Sequence, residues 1–254
     1  MAQGLVDRLE AIRQRVAGAA STRTGELGRT SVTLIAVSKT QPWESIRELY
    51  EQGQRDFGEN YVQELVEKAA QARHEGLDEI RWHFLGNLQT NKCKSLVTAA
   101  DFVHSVDSIR LARELAARWE AAGRAGKLPI FLEINIDREH SKHGFTPADA
   151  PVMARTIQGS FAPLALQGLM CIPSAKISGK TGLSHAAEEK IAHPPEISAF
   201  TRMRELEAHC RPHTQGALSM GMTQDFEEAI AQGATHVRVG TAIFGARAPK
   251  TSPL

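Results

Sequence analysis

Apolar positions along the chain fall into two alternating kinds of stretch. One kind is short and nearly continuous, as in VTLIAVS over residues 32–38, PIFLEIN over 129–135 and LQGLMCI over 166–172. Further short β-rich runs, less continuously apolar, occupy residues 55–58, 81–85, 101–106, 216–220 and 236–240. Runs of this length that do not alternate with polar positions suit strands buried on both faces, the habit of parallel sheets. The other kind is longer and repeats its apolar residues at helical spacing. It predicts helices over residues 42–52, 60–75, 108–122, 146–158, 197–210 and 223–232. Their ends are punctuated by Pro42 and Pro147 at starts and by Gly53, Gly76, Gly123, Gly159 and Gly233 at stops. A fixed φ opens a helix well, and a residue free to turn left-handed closes one. Residues 50–58 and 230–240 repeat one order: helix, glycine stop, turn, strand.

Strands alternating with helices eight times predict an α/β fold, a single (β/α)8 TIM barrel over residues 1–254. An open doubly wound sheet is the alternative with the same pattern. Only residues 241–254 follow the last strand, too few for a full closing helix. The amphipathic segment 5–19 is expected to fill that gap from the other end of the chain. Residues 174–196, rich in Ser, Gly, Lys, His and Pro, are expected to form a long mobile loop.

Composition adds mostly exclusions. With 254 residues and 42% apolar content the chain can bury a large core, so disordered and fibrous classes fall away. Thirty basic residues oppose twenty-nine acidic ones, which leaves no bulk charge for nucleic acid. Cys93, Cys171 and Cys210 form no paired framework, which fits a reducing compartment. Charges at Asp7, Arg8, Glu10, Arg13 and Arg15 break up the N-terminal segment, so no signal-peptide core is expected there. No run approaches the ~18 apolar residues of a membrane span, and a cytoplasmic location is expected.

The chemistry of such barrels sits at the carboxyl ends of the strands. The first strand ends in Ser38-Lys39-Thr40. A lysine there either reaches solvent along its aliphatic stem or is buried enough to become a nucleophilic amine. Ser219-Met220-Gly221-Met222 and Gly240-Thr241 follow the last two strands, the usual phosphate position of the fold, although each also reads as an ordinary turn. Arg238 lies inside the strand HVRVG, so it either pairs with oxygen atoms in the barrel or points at a ligand. His83 reads as a satisfied core histidine or a pocket residue. No metal-ligand spacing joins His185, His193, His209, Cys210 and His213, and no metal site is expected. A lysine, an anion site and a buried arginine together suit an aldehyde-bearing phosphate, and pyridoxal 5′-phosphate (PLP) fits.

Six segments carry a resemblance. They are AVSKT (36–40), FGENYVQE (57–64), WHFLGNLQTNK (82–92), GLMCIP (168–173), LSMGM (218–222) and VRVGTAIFGAR (237–247). Together they resemble the pyridoxal phosphate homeostasis proteins, whose barrel is similar to the N-terminal domain of alanine racemase without a C-terminal β domain. The resemblance implies that Lys39 carries PLP as an aldimine and that Asn60, with His83 and Met220, lines the pocket. It implies phosphate contacts from Ser219, Gly240 and Thr241, and a pyridine-nitrogen contact from Arg238. Cys171 stands where the family pattern leads one to expect Ala.

The resemblance implies a non-catalytic binder that holds PLP and shares in its intracellular homeostasis, with PLP-dependent apo-enzymes as partners. The alternative is an amino-acid racemase-like enzyme. An arginine at the pyridine nitrogen weakens the electron sink, and racemisation needs an acid/base on each face of the substrate. Lys39 could serve one face; the second-domain tyrosine of the racemases is not expected here, although Tyr61 could approach. Without that domain a monomer is expected.

Overall fold

In the computed structural model, which describes residues 4–25, 27–174 and 197–245, every strand runs parallel to the next. The strands are β1 (Thr33–Val37), β2 (Asp56–Glu59), β3 (Arg81–Phe84), β4 (Phe102–Val106), β5 (Leu128–Glu133), β6 (Leu164–Met170), β7 (Ala217–Ser219) and β8 (His236–Val239). They pair in sequence order, and β8 closes on β1 to complete a barrel. The closing seam is firm: Thr33, Leu34, Ile35 and Ala36 pair with His236, Val237, Arg238 and Val239. This is the predicted (β/α)8 barrel, and the open sheet is excluded.

The connecting helices are α2 (Trp43–Glu51), α3 (Val62–His74), α4 (Cys93–Leu96), α5 (Ile109–Ala121), α6 (Ala150–Ser160), α7 (Ala199–Cys210) and α8 (Phe226–Ala231), with the short α9 (Thr241–Phe244) after β8. Ser108 and Ser198 cap α5 and α7 by accepting from Leu111 and Thr201 main-chain N–H groups. Two boundaries differ from expectation. The chain enters α6 at Ala150 rather than near Pro147, and Gly159 lies inside that helix instead of ending it. The start of α8 is also later than predicted, because Asp225 Oδ1 accepts from Met222 N at 2.6 Å and holds residues 222–225 in a turn. After β3 a 3-10 turn at Thr90–Lys92 leads into α4.

The N-terminal helix α1 (Leu5–Ser21) closes the outer layer. It buries Leu9, Ile12 and Val16 and packs against α2, α8 and α9. Arg8 Nε donates to Ile243 O at 2.6 Å, and Arg23 Nε donates to Ile230 O at 2.7 Å. The segment thus fills the gap left after β8, as expected. The loop expected over residues 174–196 lies, Ser174 apart, outside the described residues.

Side chains alternate across the wall of the barrel. Ala36, Phe57, Trp82, Phe84, Val103, Ile130, Leu132, Val237 and Val239 belong to the continuous apolar core shared with the helices. Ile35, Phe131 and Met170 are buried apart from it, in the lumen. Barrel interiors are usually filled by branched aliphatic side chains. Here the lower lumen holds stacked rings instead: His83 on Phe102 at 4.4 Å and His104 on Phe131 at 4.3 Å, with His236 edge-on to Phe131 at 5.1 Å.

Candidate functional site

Lys39 is placed by a turn at the carboxyl end of β1. Gln41 N donates to Ser38 O at 3.0 Å across the turn, and Thr40 sits at φ +63°. A type II turn demands a positive φ at its third residue, a position that glycine normally fills. With Thr40 there, Lys39 takes the second position and its half-buried side chain lines a cleft with Val37, Gln41, Gly240, Thr241 and Gly245. Residues far apart in sequence meet here because β1 and β8 are neighbours in the barrel.

The strained turn is held from below by a buried polar network on the outer face of the wall. Ser38 Oγ donates to Glu59 Oε1 at 2.6 Å. Lys68 of α3 donates to Glu59 Oε1, Glu64 Oε1 and Ser38 O, each at 2.7 Å. Glu64 Oε1 also accepts from Thr40 N at 2.6 Å. Glu59 is fully buried, and burial raises its pKa despite the charge of Lys68. Its second oxygen, Oε2, has no hydrogen-bond partner.

Arg238 lies in the lumen, 5% exposed. Its Nη1 donates to Ser219 Oγ at 2.8 Å and its Nη2 to Cys171 O at 2.9 Å. Its hydrogen-bond partners are thus a hydroxyl and a main-chain carbonyl, and burial lowers its pKa. Glu133, at the end of β5, feels the same guanidinium; burial and Asp107 nevertheless raise its pKa. Gly221 between β7 and α8 has φ +93°, and a Cβ there would fall 2.6 Å from Ala229 Cβ, so only glycine fits. At Gly240 a Cβ would stand 3.3 Å from Val37 O and narrow the cleft.

Below Arg238 the polar contacts continue. Ser219 Oγ lies 2.8 Å from His104 Nδ1, and His104 Nε2 lies 2.9 Å from His83 Nδ1. His83 Nε2 then meets Asp56 Oδ1 at 2.9 Å. Arg81 grips Asp56 through Nε and Nη2, at 2.7 and 2.6 Å. Burial alone would raise the pKa of Asp56, but the bonds from His83 and Arg81 outweigh it and hold the carboxyl down at about 2. Burial lowers His83 and His104, the latter strongly, and pushes His236 down to about 3.

The structure therefore brings Lys39, Gly240 and Thr241 together at one cleft, with Arg238 buried at the adjacent strand end. Asn60 follows β2 at the same end of the barrel. Its carbonyl lies where a Cβ on Gly86 would fall 2.0 Å away. Ser219, read as a phosphate contact, has its hydroxyl engaged by His104 and Arg238. His83 sits deeper, with both ring nitrogens occupied, and Met220 is buried in the apolar core. The sequence singles out neither His104 nor Lys68, and places Glu59 at a strand end without a role. His104 and Arg238 did carry a signal, since each sits at an inward position two residues from another lumen side chain, Phe102 and His236. A separate surface depression lined by Thr90, Asn91, Arg110 and Glu114 contains none of these residues. Among the described residues no cluster of three or more His, Cys, Asp or Glu side chains could hold a metal ion, and no helix is long and apolar enough to cross a membrane.

An amine beside exposed main chain, next to a buried guanidinium, suits a small anion with an electrophilic carbon. Comparison with known proteins points the same way. The alanine racemase N-terminal domain family matches residues 8–248. A pyridoxal phosphate homeostasis protein of Pseudomonas aeruginosa is 40% identical over 217 residues, covering 85% of each chain. One from Escherichia coli is 36% identical over 246 residues, 96% of this chain and 97% of its own length. The structure of PipY from Synechococcus elongatus with PLP bound has 31% identity and a TM-score of 0.71, covering 95% of this chain and all of that one. Alanine racemase from Corynebacterium glutamicum shares the fold alone, at 14% identity and a TM-score of 0.56 over 94% of this chain and 63% of its own.

Proposed function

The chain belongs to the pyridoxal phosphate homeostasis proteins, built on the alanine racemase N-terminal domain, and from that premise we propose that it binds PLP covalently through Lys39 and shares in storing the cofactor and handing it to apo-enzymes. The observation that carries this reading is the convergence of Lys39, Gly240 and Thr241 on one cleft at the β1–β8 seam, with Arg238 buried beside it.

PLP supplies an aldehyde that a lysine amine takes up with loss of one water. The residues present fit that group. Lys39 is the amine, presented by a turn whose strain is fixed by the Glu59–Lys68–Glu64 network. Gly240 keeps the cleft open where a Cβ would crowd Val37, and Thr241 lines the same cleft, so both are assigned to the phosphate. Arg238 offers its remaining N–H groups to the pyridine nitrogen. It is donor-only, so it keeps that nitrogen unprotonated and favours holding the cofactor over turning it over. Asn60 lines the ring. Ser219 is assigned to the support of Arg238, because its hydroxyl is already engaged there. His83 and Met220 are assigned to the floor and wall rather than to direct contact.

The test is to add PLP to the purified protein, record its absorbance, reduce with borohydride and map the labelled peptide. A visible-edge band and a label on Lys39 are expected. No band, or a label on another lysine, overturns the assignment. Lys39→Ala should lose the label yet keep weak binding through the phosphate contacts; complete loss of affinity would show those contacts to be wrongly assigned.

A further inference from the structure

The lumen holds a polar chain with a fixed direction. Its ends are chemically unambiguous: the guanidinium of Arg238 can only donate, and an ionised Asp56 can only accept. Between them lie four hydrogen bonds: Arg238 to Ser219, Ser219 to His104, His104 to His83, and His83 to Asp56. Two neutral imidazoles and one hydroxyl, with the guanidinium, supply one donor for each bond. Only one arrangement satisfies them all. Arg238 donates to Ser219 Oγ, Ser219 O–H donates to His104 Nδ1, His104 Nε2–H donates to His83 Nδ1, and His83 Nε2–H donates to Asp56. His83, His104 and Ser219 are completely buried, so no water competes for these positions, and stacking on Phe102 and Phe131 fixes both rings.

We infer that His104, acting through Ser219, is a positioning residue for Arg238 at the cofactor, and that Asp56 at the far end of the barrel sets the direction of the chain that does this. The inference rests on the PLP reading above and adds to it. Each bond polarises the next, so a carboxylate at the lower mouth draws positive charge from the guanidinium at the upper one. Arg238 is thereby held in one orientation and its effective charge toward the cofactor is reduced. Cutting the chain at Ser219 leaves the guanidinium anchored through Cys171 O, cutting it at His104 leaves the Ser219 hydroxyl without its acceptor, and either restores the full positive field of Arg238. A bound chromophore that carries a proton then loses it at lower pH.

Two measurements test this. In the apo-protein, nitrogen-15 NMR of the imidazoles at neutral pH should find His83 and His104 both neutral and protonated on Nε2. A proton on Nδ1 of either ring, or an imidazolium, overturns the proposed direction. In the PLP-loaded protein, Ser219→Ala should lower PLP affinity roughly tenfold, the loss of one hydrogen bond to a charged group, and move the pH midpoint of the absorbance change downward. His104→Phe, which keeps a ring to stack on Phe131, should move it the same way. A wild-type band with unmoved midpoints in both folded variants overturns the inference and leaves the PLP reading intact. A wild-type protein without a band overturns the PLP reading itself.

Discussion

Asp56 and Glu59 stand on one short strand, both buried, and face opposite sides of the same wall. Asp56 points into the lumen, where Arg81 binds it in a fork and His83 completes its shell; its pKa is held down at about 2. Glu59 points outward beneath α3, where one lysine serves three oxygen atoms and Glu59 Oε2 has no partner; its pKa is raised. Burial opposes ionisation of both, and the number of donors decides which carboxylate overcomes it. The difference separates two tasks. The inner carboxylate anchors a long chain that ends at Arg238. The outer one is part of a clamp that holds a strained turn, and that clamp depends on a single cation.

The clamp is the easier of the two to break. Lys68→Met is expected to cost about 3 kcal/mol of folding stability, because it leaves buried carboxylate without its cation. Urea denaturation measures this, and PLP affinity should fall with it as Thr40 and Lys39 lose their support. A loss below about 1 kcal/mol would show that Glu59 is carried in its protonated form and that the ion pair matters little.

Acidification tests the lumen next. His83, His104 and His236 all have lowered pKa values in the fold. The unfolded chain therefore binds protons near pH 6.5 that the folded protein refuses. Their contribution is fully present above 6.5 and is lost as pH falls toward about 3, the value of His236. Each ring adds a slope of up to about 1.4 kcal/mol per pH unit. Asp56 adds its own loss between its unfolded value of 3.8 and about 2. Glu59 and Glu133 have raised values and act in the opposite sense, favouring the fold as pH drops through their range. Denaturation curves at stepped pH should show stability declining below 6.5. A flat profile down to pH 5 would mean that the lumen rings are hydrated and titrate normally.

The two carboxylates can then be compared directly. Asp56→Asn should cost about 2 kcal/mol, since it weakens bonds to two partners at once. Glu59→Gln should cost less than about 1 kcal/mol, since the amide oxygen still accepts from Ser38 and Lys68, and Lys68 keeps its ion pair with Glu64. Equal costs would mean that the additional donors around Asp56 do not set the two carboxylates apart. The smallest effect belongs to the turn: Thr40→Gly should stabilise by about 0.5 kcal/mol, relieving a left-handed β-branched residue at some cost in chain entropy.

Much of this architecture was legible in the sequence. Several strands, β1, β5 and β6 among them, are legible as nearly continuous apolar runs, and glycines such as Gly53 and Gly233 mark helix ends that do adopt positive φ. Lys39, Gly240 and Thr241 stood out as strand-end chemistry. The α6 start was misread because Pro147 carries the same signal as Pro151, one turn on. The inner chain was only partly legible. His83 and Arg238 were visible singly, but His104 joins them only once the closure of the barrel and its register are known. The Glu59–Lys68 pair depends on how α3 lies across β2, which no periodicity along the chain records.

The cleft lies on the seam where the first strand meets the last, so its two sides are roughly 200 residues apart in sequence. During synthesis, Lys39 leaves the ribosome long before Gly240 and Thr241 exist as peptide. A nascent chain has the proposed amine but neither the residues proposed to hold the phosphate nor Arg238. On the proposed assignment, cofactor loading is a late event that reports completed closure of the barrel. Once loaded, a molecule touching both sides acts as a clasp, favouring closed over opened chains in proportion to its affinity.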